Sequence, residues 1–374
     1  MARQPNFLGR IAGAALLVLV LSAGRGGGST MPNRLSAQAG PMEAASTPVA
    51  HDPATVAAAR RSETTSSTTT TVPPYASPLL PADGLVPDPL DGQVLAGLVP
   101  RAQITQTVAY GPNPAHLIDL YLPDGPGPHP VIVWLHAGGW IAGTRADIPE
   151  VVFDKFADGW AIASVEYRLA PSVRFPVPIQ DAERAVRYVK ANAATLGVDP
   201  DTVVVAGASA GGHLAAMVAS SAGAFAPDDL DDAAQAVSPD VAGLVVLVGP
   251  VDLRAMIAAG GWGPGMVAQF LDCEKPKSRR PVCSDLALHV ANPAVWAGHA
   301  VDEGRALPPA FLAYGHHDTL IVPEPNGARL FEAWRGGGPI WFDYVDNQGH
   351  NLDVNGLNDA ALDEFLSALR AGTL

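Results

Sequence analysis

Val203-Val204-Val205-Ala206-Gly207-Ala208-Ser209-Ala210-Gly211-Gly212-His213 carries three signals in one stretch. The β-branched run at its start reads as a buried strand, covered on both faces. Gly207-Ala208-Ser209-Ala210-Gly211 spells G-x-S-x-G, and the apolar run from Leu214 to Val218 continues as a helix. A strand, a sharp turn carrying serine and then a helix is the context that lifts a serine hydroxyl clear of a sheet edge. Small residues flank Ser209 because the turn strains the serine backbone and brings its neighbours against other strands. A glycine-rich turn is often only a turn. Chemistry requires partners elsewhere in the chain.

Bulk composition narrows the field. The chain has 374 residues, is 48% hydrophobic and carries a net charge of −14, with its acidic residues spread out rather than blocked. That charge argues against nucleic acid and against an anionic membrane surface as partners. Cys273 and Cys283 have no histidine or cysteine neighbours at zinc-site spacing, so no metal site is expected. In an exported protein the two would most simply close a short disulfide loop; in the cytoplasm they would be thiols.

Residues 1–39 favour export. Arg3 and Arg10 precede an apolar run from Ile11 to Leu21, and small residues follow. This fits a signal peptide, with Ala23 or the Ala37-Gln38-Ala39 site as cleavage points, and the run is shorter than the ~20 residues that span a bilayer. The alternative is an uncleaved N-terminal anchor, which would be the one route to membrane association. Residues 40–94 are rich in Ser, Thr, Pro and Ala, with too little apolar surface to offset chain entropy, and read as a disordered tether. The folded domain spans 95–374.

Within it, strands and helices alternate. Gln103 to Tyr110 and Leu117 to Tyr121 read as a hairpin about Pro112-Asn113-Pro114. Val131 to Leu135, Ala161 to Val165, Thr202 to Ala206, Leu244 to Val248, Phe311 to Tyr314 and Trp341 to Val345 read as further strands. Ile148 to Asp158, one long helix through Ile179, Val186, Val189 and Leu196, Asn326 to Arg335, and Asp353 to Leu369 read as helices. The pattern predicts an α/β class, with a mostly parallel sheet opened by an antiparallel hairpin and helices on both faces. Residues 254–300, glycine- and proline-rich, break the rhythm and read as a lid or insertion over the carboxyl edge, where ligands bind in open α/β folds.

Ser209 needs a base within hydrogen-bond reach and a group orienting that base. His213 lies one helical turn on, beside the serine rather than across from it, and reads as a packing residue. His350 follows the last strand in a polar loop and can lean over the sheet edge. Asp318, after the preceding strand, is the expected orienting acid, with Asp252 and Asp346 as competitors. His136-Ala137-Gly138-Gly139-Trp140 follows the third strand. There the amides of Gly138 and Gly139, with that of Ala210, would meet a developing oxyanion, and His136 would brace the loop.

Five motifs then stand in order: His136-Ala137-Gly138-Gly139-Trp140, Tyr167-Arg168-Leu169-Ala170-Pro171, the helix start Asp181-Ala182, Gly207 to His213, and Gly315 to Pro323 with Gly349-His350. From about Gln103 to the C-terminus the chain resembles α/β-hydrolase esterases of the hormone-sensitive-lipase and feruloyl/acetyl-xylan-esterase-like branches. One departure is Ala137, where the usual H-G-G-G has its first glycine. The resemblance implies an α/β-hydrolase fold and a serine carboxylic-ester hydrolase using Ser209, His350 and Asp318 on small or medium acyl esters, without metal or cofactor. Two alternatives remain: an aryl-formamidase-like amidase with the same three residues, and a non-catalytic binding module on the same scaffold. Trp140, Trp262 and Trp296 are candidates to line an acyl or alcohol pocket, or are simply core.

Overall fold

The computed structural model describes residues 104–274, 281–350 and 359–374. The leader and tether expected over 1–94 lie outside the described residues, as do Lys275, Lys277, Arg279, Arg280 and the expected start of the last helix at Asp353. Among the described residues, eight strands form one sheet: β1 (Gln106–Ala109), β2 (Leu117–Tyr121), β3 (His129–Leu135), β4 (Ala161–Val165), β5 (Val198–Ala208), β6 (Gly243–Leu247), β7 (Ala310–Gly315) and β8 (Ile340–Val345). Their order is β1-β2-β4-β3-β5-β6-β7-β8. β2 runs antiparallel to both β1 and β4, and the remaining neighbours are parallel.

The continuous apolar runs have a simple cause: both sheet faces are covered, so alternate residues are buried on opposite sides. Ile132 and Trp134 of β3 join Val204, Ala206, Val245, Leu247 and Phe311 in one core cluster. That face is closed by the C-terminal helix, whose Leu362, Phe365, Leu366 and Leu369 recur at helical spacing, with Phe365 ringed by Phe311 and Trp341. The main helices among the described residues are α1 (Val177–Ala191), α2 (Ala210–Ser221), α3 (Leu253–Ala259), α4 (Gly263–Leu271), α5 (Asp285–Val290), α6 (Pro293–Asp302), α7 (Arg329–Trp334) and α8 (Asp359–Ala371). α2 packs on β5 and β6 beneath α1 and α6. All twelve of its residues are buried, which is why it is apolar all round rather than on one stripe.

Several expectations change. The long helix after β4 breaks at Asn192, whose side-chain amide donates to the Tyr188 carbonyl (2.9 Å) and ends the run. The helix expected from Ile148 is one turn, Glu150–Phe153, continued by the 3₁₀ turn Asp154–Phe156. The helix expected from Asn326 opens with a wide turn, Glu324–Ala328, before α7. The described residues of 254–300 are largely helical, and their last helix is no insertion: α6 packs against α2 and α7 as the crossover between parallel β6 and β7. A parallel pair requires such a crossover. Its start was signalled by Asn292-Pro293, an N-cap whose Oδ1 accepts from the Ala294 amide (3.0 Å), followed by proline at the first position.

Candidate active site

Ser209 sits between β5 and α2 with φ 50° and ψ −120°, a conformation serine keeps only where its surroundings hold it. Its amide donates to the Leu247 carbonyl of β6 (2.8 Å), and its own carbonyl accepts from the His213 amide (3.0 Å). The flanking glycines are dictated by contact. A Cβ on Gly207 would strike the Gly211 backbone, and one on Gly211 would strike the Leu135 carbonyl at the end of β3. The helix start is thus pressed onto two strands, fixing where the serine hydroxyl emerges.

His350 and Asp318 reach that hydroxyl from the ends of β8 and β7. The loop beyond β8 turns through Asn347 (φ 60°) and folds against the end of β7. The His316 amide donates to the Val345 carbonyl (3.0 Å) and the His317 amide to the Gln348 carbonyl (2.8 Å). Gly315 leaves room for this approach, since a Cβ there would collide with the Gly349 carbonyl. Asp318 is buried. Its Oδ1 accepts from the amides of Leu320 and Ile321, both at 2.8 Å, and its Oδ2 accepts from His350 Nδ1–H at 2.8 Å. His350 Nε2 in turn accepts from Ser209 Oγ at 3.0 Å. The histidine tautomer that satisfies both bonds leaves Nε2 free to take a proton. The competing acids are engaged elsewhere: Asp252 caps α3 and pairs with Arg329, and Asp346 pairs with His316 (3.3 Å).

The loop after β3 is tied down through its carbonyls. Tyr167 Oη donates to the His136 carbonyl (2.8 Å), His136 Nδ1 to the Ala137 carbonyl (2.7 Å), Ile141 and Ala142 amides to the Gly138 carbonyl (3.0 Å each), and the Ala170 amide to the Trp140 carbonyl (2.8 Å). Gly138 and Gly139 have φ of 120° and 59°. The first would collide with the Ala142 carbonyl if it carried a Cβ. His136 lies stacked on Tyr167, ring centroids 4.1 Å apart, which is the bracing role its position suggested. Burial lowers its pKa, against the opposing effect of the bond to the Ala137 carbonyl.

Two supports act through pairings between distant residues that local sequence does not announce. Arg168 grips Asp181 through Nε and Nη2 (2.9 and 2.5 Å), and His116 Nε2–H donates to the same carboxylate (3.0 Å). Burial works against that charge, but these bonds hold Asp181 below the usual carboxylate range. Arg168 adjoins Tyr167, so the pair anchors the strand end from which the glycine loop is braced. The other support is Asn326, whose Oδ1 accepts from the Val251 and Asp252 amides (2.7 and 2.9 Å) and fixes the chain beyond β6. Of the three tryptophans considered as pocket candidates, Trp140 is wholly buried, Trp296 donates to the Val290 carbonyl (2.8 Å) and Trp262 is exposed.

His213 is a packing residue with a pH signature. It is fully buried, its Nε2–H donates to the Ala291 carbonyl (2.8 Å), and among the described residues its Nδ1 has no partner that could accept from it once protonated. Burial lowers its pKa to about 4, with the bond to Ala291 opposing. The unfolded chain therefore binds a proton near pH 6.5 that the folded protein refuses. Stability should fall as pH drops from about 6.5 to 4, by about 3 kcal/mol at the lower end. Denaturant midpoints for wild type and His213→Gln across that range would check this; equal slopes would refute it.

The sheet order, the strained serine turn and the residues gathered at the carboxyl edge together define an α/β-hydrolase fold. The chain belongs to the BD-FAE family, whose profile matches residues 118–332. It is similar to esterase LipQ of Mycobacterium tuberculosis, 29% identical over 263 residues, covering 67% of this chain and 58% of LipQ. A shorter stretch of 115 residues is 38% identical to esterase LipC of the same organism, covering 29% of this chain and 28% of LipC. The chain thus matches less than two-thirds of either relative. Among solved structures, a truncated carbohydrate esterase from gut microbiota superposes with a TM-score of 0.59 at 19% identity, covering 72% of this chain and 98% of that one. At that identity the likeness bears on the fold.

Proposed function

We propose that the chain is a serine carboxylic-ester hydrolase acting on small or medium acyl esters through an acyl-enzyme. The observation that carries this is the unbroken hydrogen-bonded chain from Ser209 Oγ through His350 to Asp318, beside a glycine loop on the same sheet edge. Ser209 Oγ attacks the ester carbonyl carbon while His350 Nε2 takes its proton, and Asp318 stabilises the resulting imidazolium. The carbonyl oxygen, now an anion, meets the amides of Gly138, Gly139 and Ala210, the last at the positive end of α2. His350 returns the proton to the departing alcohol. Water, deprotonated by His350, then releases the acid and restores Ser209. The names of the relatives LipQ and LipC, both esterases, support the reaction class.

We also propose export, with residues 1–39 as leader or anchor. The bond between Cys273 and Cys283 supports an oxidising compartment. The test of the activity is a panel of p-nitrophenyl esters from acetyl to palmitoyl, matched formamides, and acetylated and feruloylated glycans, with fluorophosphonate labelling of Ser209. Turnover of the shorter esters with a label on Ser209 is expected. Faster turnover of the formamides would favour the amidase, and no turnover with no label would leave a binding module.

A further inference from the structure

Helix α4 lies directly on the glycine loop. A Cβ built on Gly139 would stand 2.6 Å from Met266 Sδ, 3.0 Å from its Cγ and 3.1 Å from its Cε, so Met266 covers that glycine closely. One helical turn on, Phe270 stacks on the Trp140 indole, with centroids 4.4 Å apart and planes 10° from parallel. Residues four apart share a helix face, so two successive turns of α4 grip two successive loop residues. Both loop residues need holding. Gly139 and Trp140 have φ of 59° and 64°, and a bulky residue at positive φ persists only where its surroundings impose it.

The helix is itself fastened. The Phe175 amide donates to the Phe270 carbonyl (2.8 Å), and Arg174 pairs with Asp272 (2.7 Å). Cys273, two residues past its last turn, is bonded to Cys283. Met266 and Phe270 are both buried. A long thioether, unbranched at Cβ, can follow the loop's contour over a glycine Cα where a β-branched chain could not.

We propose that Met266 and Phe270 are positioning residues for the glycine loop, holding Gly139 and Trp140 so that the loop amides stay aimed at the reacting oxygen. This rests on the ester-hydrolase reading above. The loop amides act on charge that develops in the transition state, so loosening them lowers kcat and leaves ground-state binding largely unchanged.

The test compares wild type with Met266→Ala, Met266→Val and Met266→Leu on p-nitrophenyl butyrate. It adds melting curves and the affinity for an aryl trifluoromethyl ketone, which takes up the serine oxygen as a tetrahedral adduct. Ala and Val should lower kcat about 10- to 100-fold with KM within about twofold, and the ketone should weaken in parallel; Leu should stay within about threefold of wild type. If Met266→Ala does not fold, Met266→Val decides. An unchanged kcat in an active background, or a loss confined to KM, would overturn the proposal while leaving the ester-hydrolase reading intact. A wild type that turns over no ester and takes no fluorophosphonate label would remove both.

Discussion

Ser209→Ala is expected to lower kcat on a p-nitrophenyl ester by about 10⁶-fold, with residual rate from the glycine-loop amides and substrate binding alone. The change should be clean. The Ser209 side chain makes no capping bond to α2, and its backbone bonds to Leu247 and His213 survive in alanine. Melting temperature should therefore move little, and KM should stay near wild type, because only the attacking oxygen is gone. Stopped assays with the purified variant, checked for trace wild-type contamination, decide the matter. A variant retaining a tenth of wild-type turnover would end the acyl-enzyme mechanism.

Asp318→Asn should be the second largest loss, about 10⁴-fold in kcat, the scale the same exchange reaches in serine proteases. The local geometry explains why so small a change would cost so much. Oδ1 already accepts from the Leu320 and Ile321 amides, so an asparagine must keep its oxygen there and turn its NH₂ toward His350. His350 Nδ1 would then have to accept, which places the ring proton on Nε2, facing Ser209. The base would be blocked by its own proton. Because the backbone bonds persist, stability should be nearly kept, and ring-nitrogen NMR shifts of His350 should report the switched tautomer. Wild-type turnover by the Asp318→Asn variant would remove Asp318 from the mechanism.

Much of this arrangement was legible because its parts are local. The valine run of β5, the small residues around Ser209, and the polar loops that follow β7 and β8 each carry their own signal. Parallel strand order then gathers their carboxyl ends without further information. What stayed hidden depends on contacts between distant residues. Nothing near Met266 announces Gly139, and nothing near Asp181 announces His116. The helix break at Asn192 is set by one side-chain bond that periodicity does not register. α6 was legible in principle through Asn292-Pro293, but the surrounding glycines and prolines masked it within an apparent insertion. Chain order admits Asp252, Asp318 and Asp346 alike, since all three lie between Ser209 and His350; three dimensions separate them by what each already binds.

β8 closes the sheet at its outer edge, and five of its six residues are only partly buried. The imidazole proposed to deprotonate Ser209 hangs just beyond this strand, while the serine follows one of the sheet's interior strands. The pair therefore joins an interior strand of the sheet to an edge strand, 141 residues apart. Opening of an edge strand costs less free energy than global unfolding. Catalytic competence would then report the docking of β8 rather than the integrity of the core, and warming would silence the enzyme while most of its fold still stood.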